Sequence, residues 1–140
     1  MQTMSDSRIL MVEDEMCLAM MLEDVLSDAG YQVVRAARLK DAMKIARDEH
    51  IDAAILDVNL HGEAVYPLAT QLHESGVPFM FTSAYGRPGI PAEFDRYPVM
   101  AKPYPIHELI PAVEGLLETG DGYAANGTSL NSLHPASQAR

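Results

Sequence analysis

The chain has one cysteine, half as many basic as acidic residues (10 against 20), and no apolar run near the ~20 residues that cross a bilayer. Cys17 alone cannot close an internal disulfide. No charged start, apolar stretch and small-residue cleavage site opens the sequence, so a cytoplasmic location is expected. The shortage of Lys and Arg leaves a formal charge of -10, which repels phosphate backbones and anionic lipid and argues against nucleic-acid or membrane partners. Disorder is excluded for the bulk of the chain, because 48% of its residues are hydrophobic and only 21% are charged. The 140 residues amount to one ordinary domain, enough to bury a core of its own.

What is present is a regular alternation of two apolar patterns. Short runs recur at Ile9 to Val12, Tyr31 to Val34, Ala53 to Val58, Val77 to Phe81 and Pro98 to Ala101, as in strands buried on both faces. Between and after them apolar residues recur at helical spacing: Leu18, Met21, Leu22, Val25 and Leu26; Leu39, Ala42, Met43 and Ala46; Val65, Leu68, Ala69 and Leu72; and Ile106, Leu109, Ile110, Val113, Leu116 and Leu117. Gly30 stands where the first helix should end. Strands and helices alternating with short connections require right-handed crossovers and a parallel sheet covered on both faces. The expected fold is α/β, a doubly wound (βα)5 with five parallel strands.

One unit departs from this rhythm. Gly86, Pro88, Gly89 and Pro91 oppose helix between Tyr85 and Tyr97, so the fourth helix is expected to be short, late or replaced by a mobile loop. Pro111 should bend the last helix. Residues 1–7 read as an N-terminal extension, 8–118 as the folded domain, and 119–140, rich in Gly, Asn, Ser, Thr and Ala, as a flexible tail.

In open parallel sheets the functional crevice lies beyond the carboxyl ends of the strands. The runs place there Glu13, Asp14 and Glu15, then Asp57 with Asn59 two residues on, then Thr82 and Ser83, then Lys102 before Pro103. Carboxylates this close must share protons or hold a cation, and oxygen-only ligation suits Mg²⁺. A metal, an ammonium and a hydroxyl together can cradle a phosphoryl group, with one carboxylate left to act as nucleophile.

At these residues the chain resembles the receiver domain of bacterial two-component response regulators. Ile9-Leu10-Met11-Val12-Glu13-Asp14-Glu15 matches the family's first strand and acidic pair, and Ile55-Leu56-Asp57-Val58-Asn59-Leu60 the strand with the phosphoacceptor aspartate. Pro78-Phe79-Met80-Phe81-Thr82-Ser83-Ala84 matches the strand with the conserved hydroxyl, with Ser83 in register, and Lys102-Pro103-Tyr104 the Lys-Pro-aromatic. Four motifs in order are far more specific than any one of them.

The resemblance implies a flavodoxin-like fold. It also implies that Asp57 accepts phosphate from a sensor histidine kinase or histidine phosphotransfer protein. Glu13, Asp14, Asp57 and the backbone carbonyl of Asn59 would hold Mg²⁺, Lys102 and Ser83 would contact the phosphoryl oxygens, and small Ala84 would leave access to them. The chain would then be a stand-alone switch, not an enzyme with an external substrate, and would signal to a downstream protein; receivers also often form homodimers through the fourth and fifth units.

Two departures qualify the match. Val99 stands where better-known receivers carry a mobile aromatic, and the loop after Asp57, with His61 and Gly62, lacks the common proline. With the fourth-strand motif, this resembles a subgroup of alphaproteobacterial single-domain receivers with a Phe-Ala-Thr-Gly-aromatic sequence, in which Tyr85 would be the mobile ring. Two rival readings remain open: a Mg²⁺-dependent aspartyl-phosphate phosphohydrolase, and a receiver that works without phosphate. The first expects an aspartate where Asn59 stands; the second leaves the full set of Asp57, Ser83 and Lys102 unexplained. Elsewhere the plain readings prevail. Glu15 suits a helix N-terminus, Met16, Met20, Met21 and Cys17 are expected to pack, and the scattered histidines are expected at the surface, with His61 alone near the site.

Overall fold

A computed structural model describes residues 7–103 and 105–119, so the expected extension and tail lie almost wholly outside the described residues. Strands β1 (Arg8–Val12), β2 (Gln32–Ala36) and β3 (Ala53–Asp57) come first, with helices α1 (Met16–Asp28) and α2 (Leu39–Asp48) between them. A small hairpin, β4 (Asn59–Leu60) and β5 (Glu63–Ala64), leads into α3 (Tyr66–Glu74). Strands β6 (Phe79–Ser83) and β7 (Val99–Ala101) and helix α4 (Ile106–Thr119) complete the order.

The five long strands form one sheet in the order β2-β1-β3-β6-β7, all parallel, while β4 and β5 pair antiparallel apart from it. The winding direction reverses between β1 and β3, where the crevice of a doubly wound sheet opens. Alternate side chains face opposite layers. Leu10, Val12, Ala54, Leu56, Phe79 and Phe81 join the core under α2 and α3, whereas Ile9, Met11, Ala53, Ile55 and Met80 join the core under α1 and α4.

Two helices end in the same way. Gly30 at φ +99° donates its N–H to Ser27 while Tyr31 donates to Leu26; Gly76 at φ +76° and Val77 repeat the arrangement on His73 and Leu72. Both positions require the left-handed conformation that glycine adopts without steric cost.

Between β6 and β7 the expected break is real: among the described residues this segment holds only a short 3₁₀ helix, Ala92–Phe94. Its anchors were not legible from the Gly and Pro content. Phe94 stacks on Tyr66 with ring centroids 5.4 Å apart, and Tyr97 stacks on Phe79 at 4.1 Å. Arg87 donates to the carbonyl oxygens of Asp95 and Tyr97 at 2.9 and 2.8 Å.

Three expectations need correction. Met16, Met20 and Met21 are 64%, 53% and 42% exposed, and Cys17 is exposed as well. Ala19, Leu22 and Leu26 define the buried face of α1, and these four side chains lie off it, Met21 even though it shares the helical spacing of Leu18, Leu22 and Val25. Strand β6 begins two residues later than its apolar run, after Pro78, and closes on Thr82 and Ser83, where the sequence places the strand's end. Strand β2 lies at the sheet edge with Gln32 and Arg35 exposed, so it is not buried on both faces. Helix α4 keeps Pro111 inside it, where the sequence places it.

Phe94→Ala is expected to lower the unfolding free energy by roughly 3 kcal/mol, the usual loss for truncating a buried ring. Met20→Ser should change it by less than about 0.5 kcal/mol, as surface substitutions do. Urea unfolding of the two variants measures both, and equal losses would contradict the placement of Met20 outside the core.

Candidate functional site

Parallel strands deliver their last residues to a common edge. Asp57 and Ser83 close β3 and β6, Glu13 follows β1, and Lys102 follows β7. Backbone bonds lock this edge: Glu13 N–H donates to Ala36, Val58 to Thr82, and Lys102 to Ser83, at 3.1, 3.0 and 2.9 Å. The side chains surround an open cleft of about 510 Å³ lined by Glu13, Asp14, Asp57, Ser83, Ala84 and Lys102, with Asn59 and Tyr85 at its border.

One carboxylate oxygen from each of Glu13, Asp14 and Asp57 lies within 4.8 Å of the others. The Lys102 ammonium bridges two of them, 3.2 Å from Glu13 Oε1 and 3.1 Å from Asp57 Oδ2. Backbone amides hold the acids from the other side: Glu15 N–H donates to Glu13 at 3.0 Å, Asn59 N–H to Asp57 at 3.3 Å and His61 N–H to Asp14 at 2.8 Å. Three carboxylates less one ammonium leave an excess of two negative charges when all are ionised. That excess and the all-oxygen donor set fit a hard divalent cation such as Mg²⁺.

Burial raises the carboxyl of Glu13 above its ordinary range, reinforced by Asp57, against the Glu15 amide and Lys102. Burial likewise raises Asp57, against the pull of Lys102 and the Asn59 amide. For Lys102 burial pulls downward, but Asp57 and Glu13 outweigh it and the ammonium is held above its usual value.

The structure brings together every residue singled out in the sequence, with distinctions. Ser83 lines the cleft and its hydroxyl accepts the Tyr85 N–H at 3.1 Å. Thr82, its neighbour, is fully buried. Asn59 also lines the cleft, and its side-chain oxygen accepts the Gly62 N–H at 2.8 Å. Val99 is buried in the core under α2 and α3, while Tyr85 is 86% exposed. The amides of Glu15, Asn59 and His61 escaped sequence reasoning, because a backbone donor leaves no mark in residue type.

A carboxyl raised on folding binds its proton more tightly in the native state, so it withdraws stability as pH rises above the ordinary carboxylate range near about 4. Asp57→Asn removes one such group. Without divalent cations the variant should melt a few degrees higher than wild type at pH 7, with the gain shrinking as pH falls toward ~4 and vanishing below it, where the carboxyl is protonated in the folded and the unfolded chain alike. Calorimetric melting in EDTA across that range measures the effect; a gain independent of pH would rule out ionisation as its cause.

The Response regulator receiver domain model matches residues 9–114 of the chain. The transcriptional regulatory protein YrkP of Bacillus subtilis, itself uncharacterised, is 34% identical over 128 residues, 91% of this chain and 46% of that protein. The chain spans about half the length of the curated relatives it matches. Among solved structures, SdrG from Sphingomonas melonis is 37% identical with a TM-score of 0.69, covering 81% of this chain and 98% of that one. The receiver domain of the hybrid histidine kinase CckA is 30% identical with a TM-score of 0.66, covering 79% of this chain and 99% of that one. With the five-stranded parallel sheet and the acidic cleft at its carboxyl edge, these matches make the chain a member of the response regulator receiver domain family.

Proposed function

We propose that this receiver is a phosphorylation-controlled switch that takes a phosphoryl group on Asp57 from the phosphohistidine of a sensor histidine kinase or phosphotransfer protein. The observation that carries the reading is the Lys102 ammonium bridging Asp57 and Glu13 beside an acidic cluster short of two positive charges. Glu13, Asp14, Asp57 and the backbone carbonyl of Asn59 would hold Mg²⁺, which when bound neutralises charge on phosphoryl oxygens.

The chain's own groups supply the rest. An Asp57 carboxylate oxygen attacks phosphorus in line; the new P–O bond forms as the P–N bond to the donor imidazole breaks, and that imidazole keeps the electron pair and takes up a proton. Lys102 moves from the free carboxylates to the phosphoryl oxygens. Ser83 donates its hydroxyl proton to one of them, and small Ala84 leaves the approach open. Water then attacks the acyl phosphate, releasing inorganic phosphate and regenerating Asp57.

Transmission follows from the Ser83 contact. Its oxygen accepts the Tyr85 N–H, so drawing the hydroxyl toward a phosphoryl group pulls on the start of the Tyr85 to Tyr97 segment. The exposed Tyr85 ring is free to move, and Val99 offers no ring at the usual position. This favours the subgroup with the Phe-Ala-Thr-Gly-aromatic motif, and an output made by binding a downstream signalling protein or a second copy of the chain. The charge of -10 disfavours direct contact with nucleic acid. No helix among the described residues is long and apolar enough to cross a membrane. A phosphohydrolase would need an acid where Asn59 stands, and that side chain is committed to the Gly62 amide.

Intact mass after incubation with acetyl phosphate tests the reading. Wild type is expected to gain one phosphoryl group only with Mg²⁺, Asp57→Asn to gain none, and Lys102→Ala to label roughly 100-fold more slowly, as when one preorganised electrostatic group is removed. Failure of wild type to gain mass, together with failure to bind beryllofluoride, would leave a phosphate-independent binding module.

A further inference from the structure

The hairpin after Asp57 is absent from the alternation of strands and helices, yet it reaches both halves of the acidic cluster. Its first residue, Asn59, donates its amide to Asp57, and its tip, His61, donates its amide to Asp14 at 2.8 Å across 47 residues of sequence. The turn has His61 at φ +51° and Gly62 at φ +86°, the two left-handed residues of a type I′ hairpin. His61 is the one non-glycine residue with positive φ among the described residues. Three contacts hold it in this unfavoured conformation. The Asn59 side chain accepts the Gly62 N–H at 2.8 Å, Val65 donates to Val58 at 3.0 Å below the hairpin, and Leu60 is fully buried as its anchor. The imidazole itself is 61% exposed and stands 3.7 Å from Asp14 Oδ2, beyond a hydrogen bond.

We propose that His61 is a positioning residue for the acidic cluster: its backbone N–H, delivered by the hairpin turn, fixes the Asp14 carboxylate relative to Asp57 and so sets the cluster's affinity for a divalent cation. This rests on reading Glu13, Asp14 and Asp57 as the cation's ligands. Groups that orient a ligand carboxylate govern affinity without touching the ion. A proline at position 61 would have no N–H to donate and could not adopt positive φ.

Titration calorimetry with Mg²⁺ alone on wild type, His61→Pro and His61→Gly tests the assignment, with thermal melting to confirm folding. His61→Pro is expected to raise the Mg²⁺ Kd roughly 10-fold, and His61→Gly, which keeps the amide and the turn, to stay within about twofold of wild type. In acetyl phosphate labelling, His61→Pro should raise the Mg²⁺ concentration for half-maximal rate and leave the rate at saturation unchanged. A folded His61→Pro with wild-type affinity would overturn the positioning role and leave the cation site standing, as would an equal loss in His61→Gly, which would assign the effect to the imidazole. Wild type that binds no Mg²⁺ would overturn both. If His61→Pro does not fold, amide hydrogen exchange on wild type decides. Protection of the His61 N–H supports the bond, and exchange at the free-peptide rate overturns it.

Discussion

A single ammonium group lies between two buried carboxylates, and much of this structure is arranged around that imbalance. Lys102 sits 3.2 Å from Glu13 and 3.1 Å from Asp57, but cannot neutralise both and Asp14 as well. Burying unbalanced charge costs stability, and a fold tolerates it where a ligand supplies the missing charge. The parallel sheet makes the concentration possible. Four strands end at one edge, each contributes its last or next side chain, and the backbone bonds between Glu13 and Ala36, Val58 and Thr82, and Lys102 and Ser83 prevent the acids from drifting apart.

The ends of the strands carry the chemistry, and their middles carry the stability. Leu10, Leu56 and Phe81 face one helical layer while Ile9, Ile55 and Met80 face the other, so the sheet is sealed on both sides below the cleft. Rigidity beneath and charge above are complementary. The side chains at the cleft are held by that frame, while the Tyr85 ring at its border is left exposed.

Most of the fold was legible in the sequence, because buried strands and amphipathic helices announce themselves through apolar spacing. The site residues were legible because Asp57, Ser83 and Lys102 each stand directly at a strand's end, where residue type and position coincide. Legibility failed where one of these was missing. Apolar type misled at Met16 and Met20, since spacing and not hydropathy decides which side of a helix is buried. It misled again at Val77 and Pro78, apolar residues that precede β6 and lie outside it. The hairpin at Asn59–Leu60 and Glu63–Ala64 was invisible because two-residue strands are too short to show a period.

The distribution of sulfur has a consequence of its own. Met11, Met80 and Met100 are buried in the sheet, whereas Met16, Met20 and Met21 crowd the outer surface of α1 beside the exposed thiol of Cys17. Oxidants in solvent reach the second group and not the first. Conversion of those thioethers to sulfoxides would turn an apolar helix surface polar while leaving the packed interior chemically untouched. Oxidative damage to this protein would therefore register first as altered surface recognition, with its folded stability the last property to change.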